Sequence, residues 1–194
     1  MSAFTELDET FGANWTTVLV GWNGLGILSP WPERWTESPP LLSAKEVASY
    51  AYRVLDTAVD PAEQALVVEL LSQDLSTSQR ETIRDILHQL SSLVNSDPAT
   101  EVRKWRLVLL EQTLRELPKD AVHGLATLSD FWQDFGFPSD SPHVVQGRGN
   151  NVSPLEYYRE DYFHKLLEAH YTWIQHEKAS LDNKKRCQEP FKKG

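Results

Sequence analysis

Between Ser43 and Glu156 the chain repeats one local pattern, and that pattern limits the folds open to it. A short oxygen-bearing side chain is followed by proline or by Glu or Gln three residues on, and then by apolar residues three or four apart. The oxygen accepts from the orphan N–H groups of a starting helix. Proline suits the first helical position, and Glu at the third closes a capping box. Apolar recurrence at that spacing puts the residues on one helical face.

The pattern opens at Ser43–Glu46, with Val47, Tyr50, Ala51 and Val54 behind it, and again at Asp60–Pro61–Glu63, with Leu66, Val67, Leu70 and Leu71. Ser76–Gln79 precedes Ile83, Ile86, Leu87, Leu90 and Leu93. Asp97–Pro98 precedes Val102, Trp105, Val108, Leu109 and Leu114, with Pro118 as the stop. Asp120 caps a helix using Val122, Leu125, Leu128 and Trp132. The last start, Ser153–Pro154–Glu156, leads to about Leu181 through Leu155, Tyr158, Tyr162, Phe163, Leu166, Leu167, Tyr171 and Ile174. That is a helix of roughly seven turns with an aromatic stripe. Links between these helices are short, which makes sequence neighbours antiparallel neighbours. No run alternates long enough for a sheet. The expectation is an all-α bundle of about six to seven helices with a long aromatic C-terminal helix.

Residues 1–42 are rich in Trp and Pro. Asn14 to Leu28 holds a short helix using Trp15, Val18, Leu19 and Trp22, which Gly24 ends. Trp31 and Trp35 lie in a proline-rich loop, either as a lid on the core or as exposed anchors for a partner. The expected organisation is one helical domain over 1–181, with 1–42 packed on it, and a basic, flexible tail over 182–194.

Charge narrows the partners. The chain carries a formal net charge of −9, and residues 1–100 hold 14 acidic and 5 basic side chains, so the whole excess lies there. Such a balance disfavours a nucleic-acid binder, which needs cations on its surface. A basic protein partner fits instead. The acidic N-terminus lacks the apolar run of a signal peptide, and no run is long enough to cross a bilayer. One cysteine, Cys187, permits no disulfide within the chain and fits a cytoplasmic setting.

Few constellations suggest chemistry. Four histidines follow an aspartate by three residues: Asp85/His88, Asp120/His123, Asp140/His143 and Asp161/His164. Carboxylate and imidazole at that spacing share a helix face, as in metal-binding bundles, so a metal-carboxylate enzyme is one alternative reading, and a regulatory or scaffold helical module using exposed tryptophans is the other. Two of the pairs fall at a helix start and in a loop, and solvated polar faces explain them better. The row Glu156, Glu160, His164 and Glu168 reads as a charge-paired exposed face. Gly147-Arg-Gly-Asn lacks the strand and the lysine–hydroxyl pair of a nucleotide loop and reads as a turn. No catalytic residue, metal ligand or cofactor is assigned.

Two stretches carry a resemblance. One is Trp15-Thr-Thr-Val-Leu-Val-Gly-Trp-Asn-Gly-Leu-Gly-Ile-Leu, followed by Leu42-Ser-Ala-Lys-Glu-Val-Ala-Ser-Tyr-Ala. The other is Asp130-Phe-Trp-Gln-Asp-Phe-Gly-Phe-Pro-Ser-Asp before a polar loop and an aromatic helix. This order resembles an uncharacterised bacterial all-helical family found beside polymorphic or contact-dependent toxins and thought to be immunity proteins. The resemblance implies a protein that neutralises a toxin by occlusion, with an acidic surface toward a basic toxin domain. On that footing Asp56, Asp60, Glu63, Glu69 and Asp74, with Trp31 and Trp35, are the expected partner-binding residues.

Overall fold

The computed structural model describes residues 1–24, 39–58, 60–73 and 79–188, with side chains through Asn183. Among the described residues every regular element is a helix, as the capping pattern requires. The order is α1 (Ala3–Phe11), α2 (Trp15–Asn23), α3 (Ala44–Leu55), α4 (Pro61–Ser72), α5 (Arg80–Ser92), α6 (Pro98–Arg115), α7 (Ala121–Asp134), α8 (Pro154–Tyr157) and α9 (Glu160–Gln188). The expected caps are present. Ser43 and Glu46 form the capping box of α3, and Asp60, Asp120 and Ser153 accept from backbone N–H groups of α4, α7 and α8. The start of α5 differs: Gln79 makes no side-chain cap, and residues 74–78 lie outside the described ones.

The chain divides into two units, the boundary falling inside α6 between Trp105 and Arg106. The first unit contains α1 to α5 and the start of α6. Its α2 packs on α5, and α4 packs on both α3 and α5. Eight residues of α2 are buried, so this helix is enclosed rather than amphipathic. Enclosure requires every polar group to find a partner. The Thr16 hydroxyl meets that of Ser91 at 2.8 Å, and Asn23 Oδ1 accepts from Arg84 at 3.1 Å. Gly21 lets α6 approach: a Cβ there would lie 2.5 Å from Trp105. α1, which the sequence reading leaves unassigned, buries Phe4, Leu7 and Phe11.

One carboxylate binds α2 to α6. Glu101 is 2 % exposed and accepts from Thr17 (2.6 Å), Ser96 (2.8 Å), Asn14 (3.1 Å) and Lys104 (3.0 Å). One turn on, the Trp105 indole donates to the Thr17 carbonyl at 2.9 Å.

The second unit contains α6 from Arg106, then α7, α8 and α9, with α7 and α8 both against α9. Here the expected single aromatic helix is two helices. Tyr158, at φ −89° and ψ 14°, closes α8, and α9 begins at Glu160. The expected stripe holds at Phe163, Leu166 and Ile174, which are buried. Leu155, Tyr158 and Tyr171 are 88 %, 46 % and 53 % exposed, contrary to the spacing argument. The buried face is Tyr157, Phe163, Leu166, His170, Ile174, Glu177 and Leu181. A histidine and a glutamate stand at core positions because neighbouring groups satisfy them, so apolar spacing alone misplaces the face. Val122 and Leu93 are also exposed rather than buried. α9 continues to Gln188, past the expected end at Leu181.

Candidate functional site

Four of the acidic residues expected at a partner surface lie on the α3–α4 pair, whose link is residues 56–60. Asp56 follows α3 directly and is exposed. Asp60 is exposed too, and its Oδ1 accepts from the Ala62 N–H at 2.9 Å, which starts α4. Glu69 is exposed on α4. Glu63 is half-buried, and its Oε1 accepts from the Trp15 indole at 2.7 Å, so part of its carboxylate serves the interior. Asp74, Trp31 and Trp35 lie outside the described residues.

The same two helices expose apolar surface. Tyr52 on α3 is 59 % exposed and Val68 on α4 is 55 % exposed. Ala62 and Ala65 are exposed on α4 as well, and α4 contains no Lys or Arg. α3 carries Lys45 and Arg53, and Arg53 is paired with Asp8, so the exposed apolar residues of the two helices lie among charges of both signs, with α4 the purely acidic side.

A second group of functional-type side chains lies buried in the other unit, and the sequence reading does not find it. The Trp132 indole donates to His170 Nε2 at 2.9 Å, and His170 Nδ1 faces the Leu166 carbonyl at 2.6 Å. His143 Nε2 meets the Ser129 hydroxyl at 2.8 Å, and its ring lies 5.6 Å from that of His170. Burial, followed by the neighbouring His170, lowers the His143 pKa to about 3. Burial also lowers His170. Arg106 makes two hydrogen bonds to Asp140, at 3.1 and 2.5 Å, and its guanidinium lies 4.9 Å from the Trp173 ring.

Ser129 and His143 have the spacing of a nucleophile and its base, but an imidazole held near 3 takes up a hydroxyl proton poorly at neutral pH. The buried His143 Nδ1 has no partner to orient the ring. These groups join the helices to the loop.

Two of the four Asp/His pairs separate in the same way, and Asp85 and His88 are both exposed on α5. Asp140 pairs with Arg106 and His143 with Ser129. Asp161 pairs with Arg159, while His164 Nδ1 faces the Glu160 carbonyl. Asp120 does meet His123, at 2.8 Å, on the surface at the start of α7. Among the described residues no three of His, Cys, Asp and Glu converge as a metal-binding group, and no helix is long and apolar enough to cross a membrane.

A family profile described as an uncharacterized protein conserved in bacteria (DUF2247) matches residues 7–178. Comparison with curated proteins and with solved structures finds no match.

Proposed function

We propose, for a chain that belongs to the DUF2247 family of proteins conserved in bacteria, a non-enzymatic role in which the α3–α4 face binds a basic protein. The most concrete form is immunity: the partner is a cationic toxin domain, and the bound chain occludes it. One observation supports this reading above the others. Tyr52 and Val68 are more than half exposed on helices that also display Asp56, Asp60 and Glu69. Apolar anchors supply affinity at such a face, while surrounding charge steers encounter and selects the partner.

The test is a search of the neighbouring genes for a basic toxin domain, whose absence rejects immunity, and then titration calorimetry with that domain at two salt concentrations. Wild type binds, and more weakly at high salt. The triple variant Asp56→Asn, Asp60→Asn, Glu69→Gln keeps its helical circular dichroism, weakens binding about tenfold or more, and flattens the salt dependence. Tyr52→Ala weakens binding at both salt concentrations. Absence of wild-type binding, or triple-variant binding equal to wild type, rejects the reading.

A further inference from the structure

The segment from Phe135 to Ser153 joins α7 to α8 and contains no helix. Three contacts pin its middle. Asp140 holds Arg106 of α6, His143 meets Ser129 of α7, and the Val144 carbonyl accepts from the Tyr157 hydroxyl of α8 at 2.8 Å. His143 differs from the other two pins. It is 8 % exposed, its Nδ1 has no hydrogen-bond partner, and its ring abuts that of His170 on α9.

We propose that residues 135–153 form an acid-released strap, which a proton on His143 frees from its seat while α7 and α9 stay folded. The added proton makes both ring nitrogens donors. Nε2 keeps the Ser129 hydroxyl, but the second N–H faces no acceptor. The groups against the ring, the Ser129 hydroxyl and the His170 imidazole, give it no counter-charge. Of the elements that hold the strap and its neighbours, α6 brings the cation Arg106, α7 the uncharged Trp132, α8 Tyr157 and α9 Glu177. On the strap itself Asp140 pairs with Arg106, and the Arg148 guanidinium lies over the Phe137 ring at 4.5 Å. Glu177 also faces Arg106, at 3.7 Å, so both nearby carboxylates already serve that cation.

Leaving the seat returns the imidazole to water and to its ordinary value of 6.5. A base whose pKa is depressed in the closed state favours closure above its ordinary pKa and opposes it as pH falls below. Between pH 7.5 and 5.0 the open fraction therefore grows about thirtyfold. Local release is cheaper than unfolding, because the helices keep their own backbone hydrogen bonds and only the strap lets go.

Hydrogen exchange by mass spectrometry on the full chain at both pH values, corrected for the intrinsic rate, tests this. The expected result is about thirtyfold loss of protection confined to residues 135–153, with α7 and α9 unchanged. His143→Gln retains an amide for Ser129 and does not titrate, so its strap stays protected at pH 5.0. The proposal fails if wild type shows no change, if α7 and α9 lose protection together with the strap, or if the variant releases as fully as wild type. Should that variant not fold, side-chain NMR of wild type decides. His143 must titrate with the midpoint of strap exchange, and a different midpoint overturns the proposal.

Discussion

Trp132 fixes the protonation of His170. An indole N–H only donates, so the Nε2 that receives it at 2.9 Å is bare, and Nδ1 carries the proton toward the Leu166 carbonyl at 2.6 Å. Nitrogen-15 NMR of histidine-labelled protein at pH 7.5 should show His170 as the Nδ1–H tautomer. His170→Phe leaves the buried indole without an acceptor and should cost about 1–3 kcal/mol in urea unfolding. His170→Gln, which keeps an acceptor, should cost less.

Glu101 and Glu63 give a matched comparison. Glu101 receives four donors, whereas Glu63 receives the Trp15 indole. Glutamine puts an NH2 where one oxygen stood. At position 63 the remaining oxygen can serve the indole. At position 101 the NH2 either turns the Thr17 hydroxyl from donor to acceptor or meets Ser96, Asn14 and Lys104, and the partner charge of Lys104 is lost either way. Glu101→Gln should therefore destabilise by about 2–3 kcal/mol and Glu63→Gln by less than about 1 kcal/mol, measured by chemical denaturation.

Gly21 and Gly12 should fail for different reasons. A Cβ at Gly21 would lie 2.5 Å from Trp105 and 2.9 Å from Leu42, both buried. Gly21→Ala should cost about 1–3 kcal/mol or more as the core is overpacked. Gly12 has open space around it but sits at φ +73°. Gly12→Ala should cost about 1–3 kcal/mol, the strain of a side chain at φ 73° and ψ 127°, outside the left-handed helical basin. Thermal melts of the two variants check both losses.

Arg106 depends on its shape as well as its charge. It makes two bonds to Asp140 and lies on Trp173, and its own side chain is 7 % exposed. Arg106→Lys keeps the charge but loses the planar fork, and should cost about 2 kcal/mol by denaturant unfolding. Asp140→Asn, at a side chain 50 % exposed, should cost less.

The helix starts were legible because each depends on a few adjacent residues. Ser43, Asp60, Asp120 and Ser153 all cap the helices that their neighbours in sequence suggest. α1 carried a readable signal too, with Phe4, Leu7 and Phe11 three and four apart behind Ser2, but the acidic residues between them obscure it. The α8–α9 break and the place of His170 were harder to read. Apolar spacing favours Tyr171 for the core, and nothing near His170 in sequence announces Trp132 as its donor. The acidic surface was legible as composition, while the division of labour between Glu63 inside and Glu69 outside needs the fold.

Thr17 shows what buried polarity adds to an otherwise greasy contact. Aliphatic and aromatic faces alone would let α2 roll or slip by a residue against α6 at small cost. The Thr17 hydroxyl is committed to Glu101 and its carbonyl to Trp105, four residues apart on the neighbouring helix. A slip in either direction strands a buried carboxylate and an indole at once, so the two helices have a single admissible alignment.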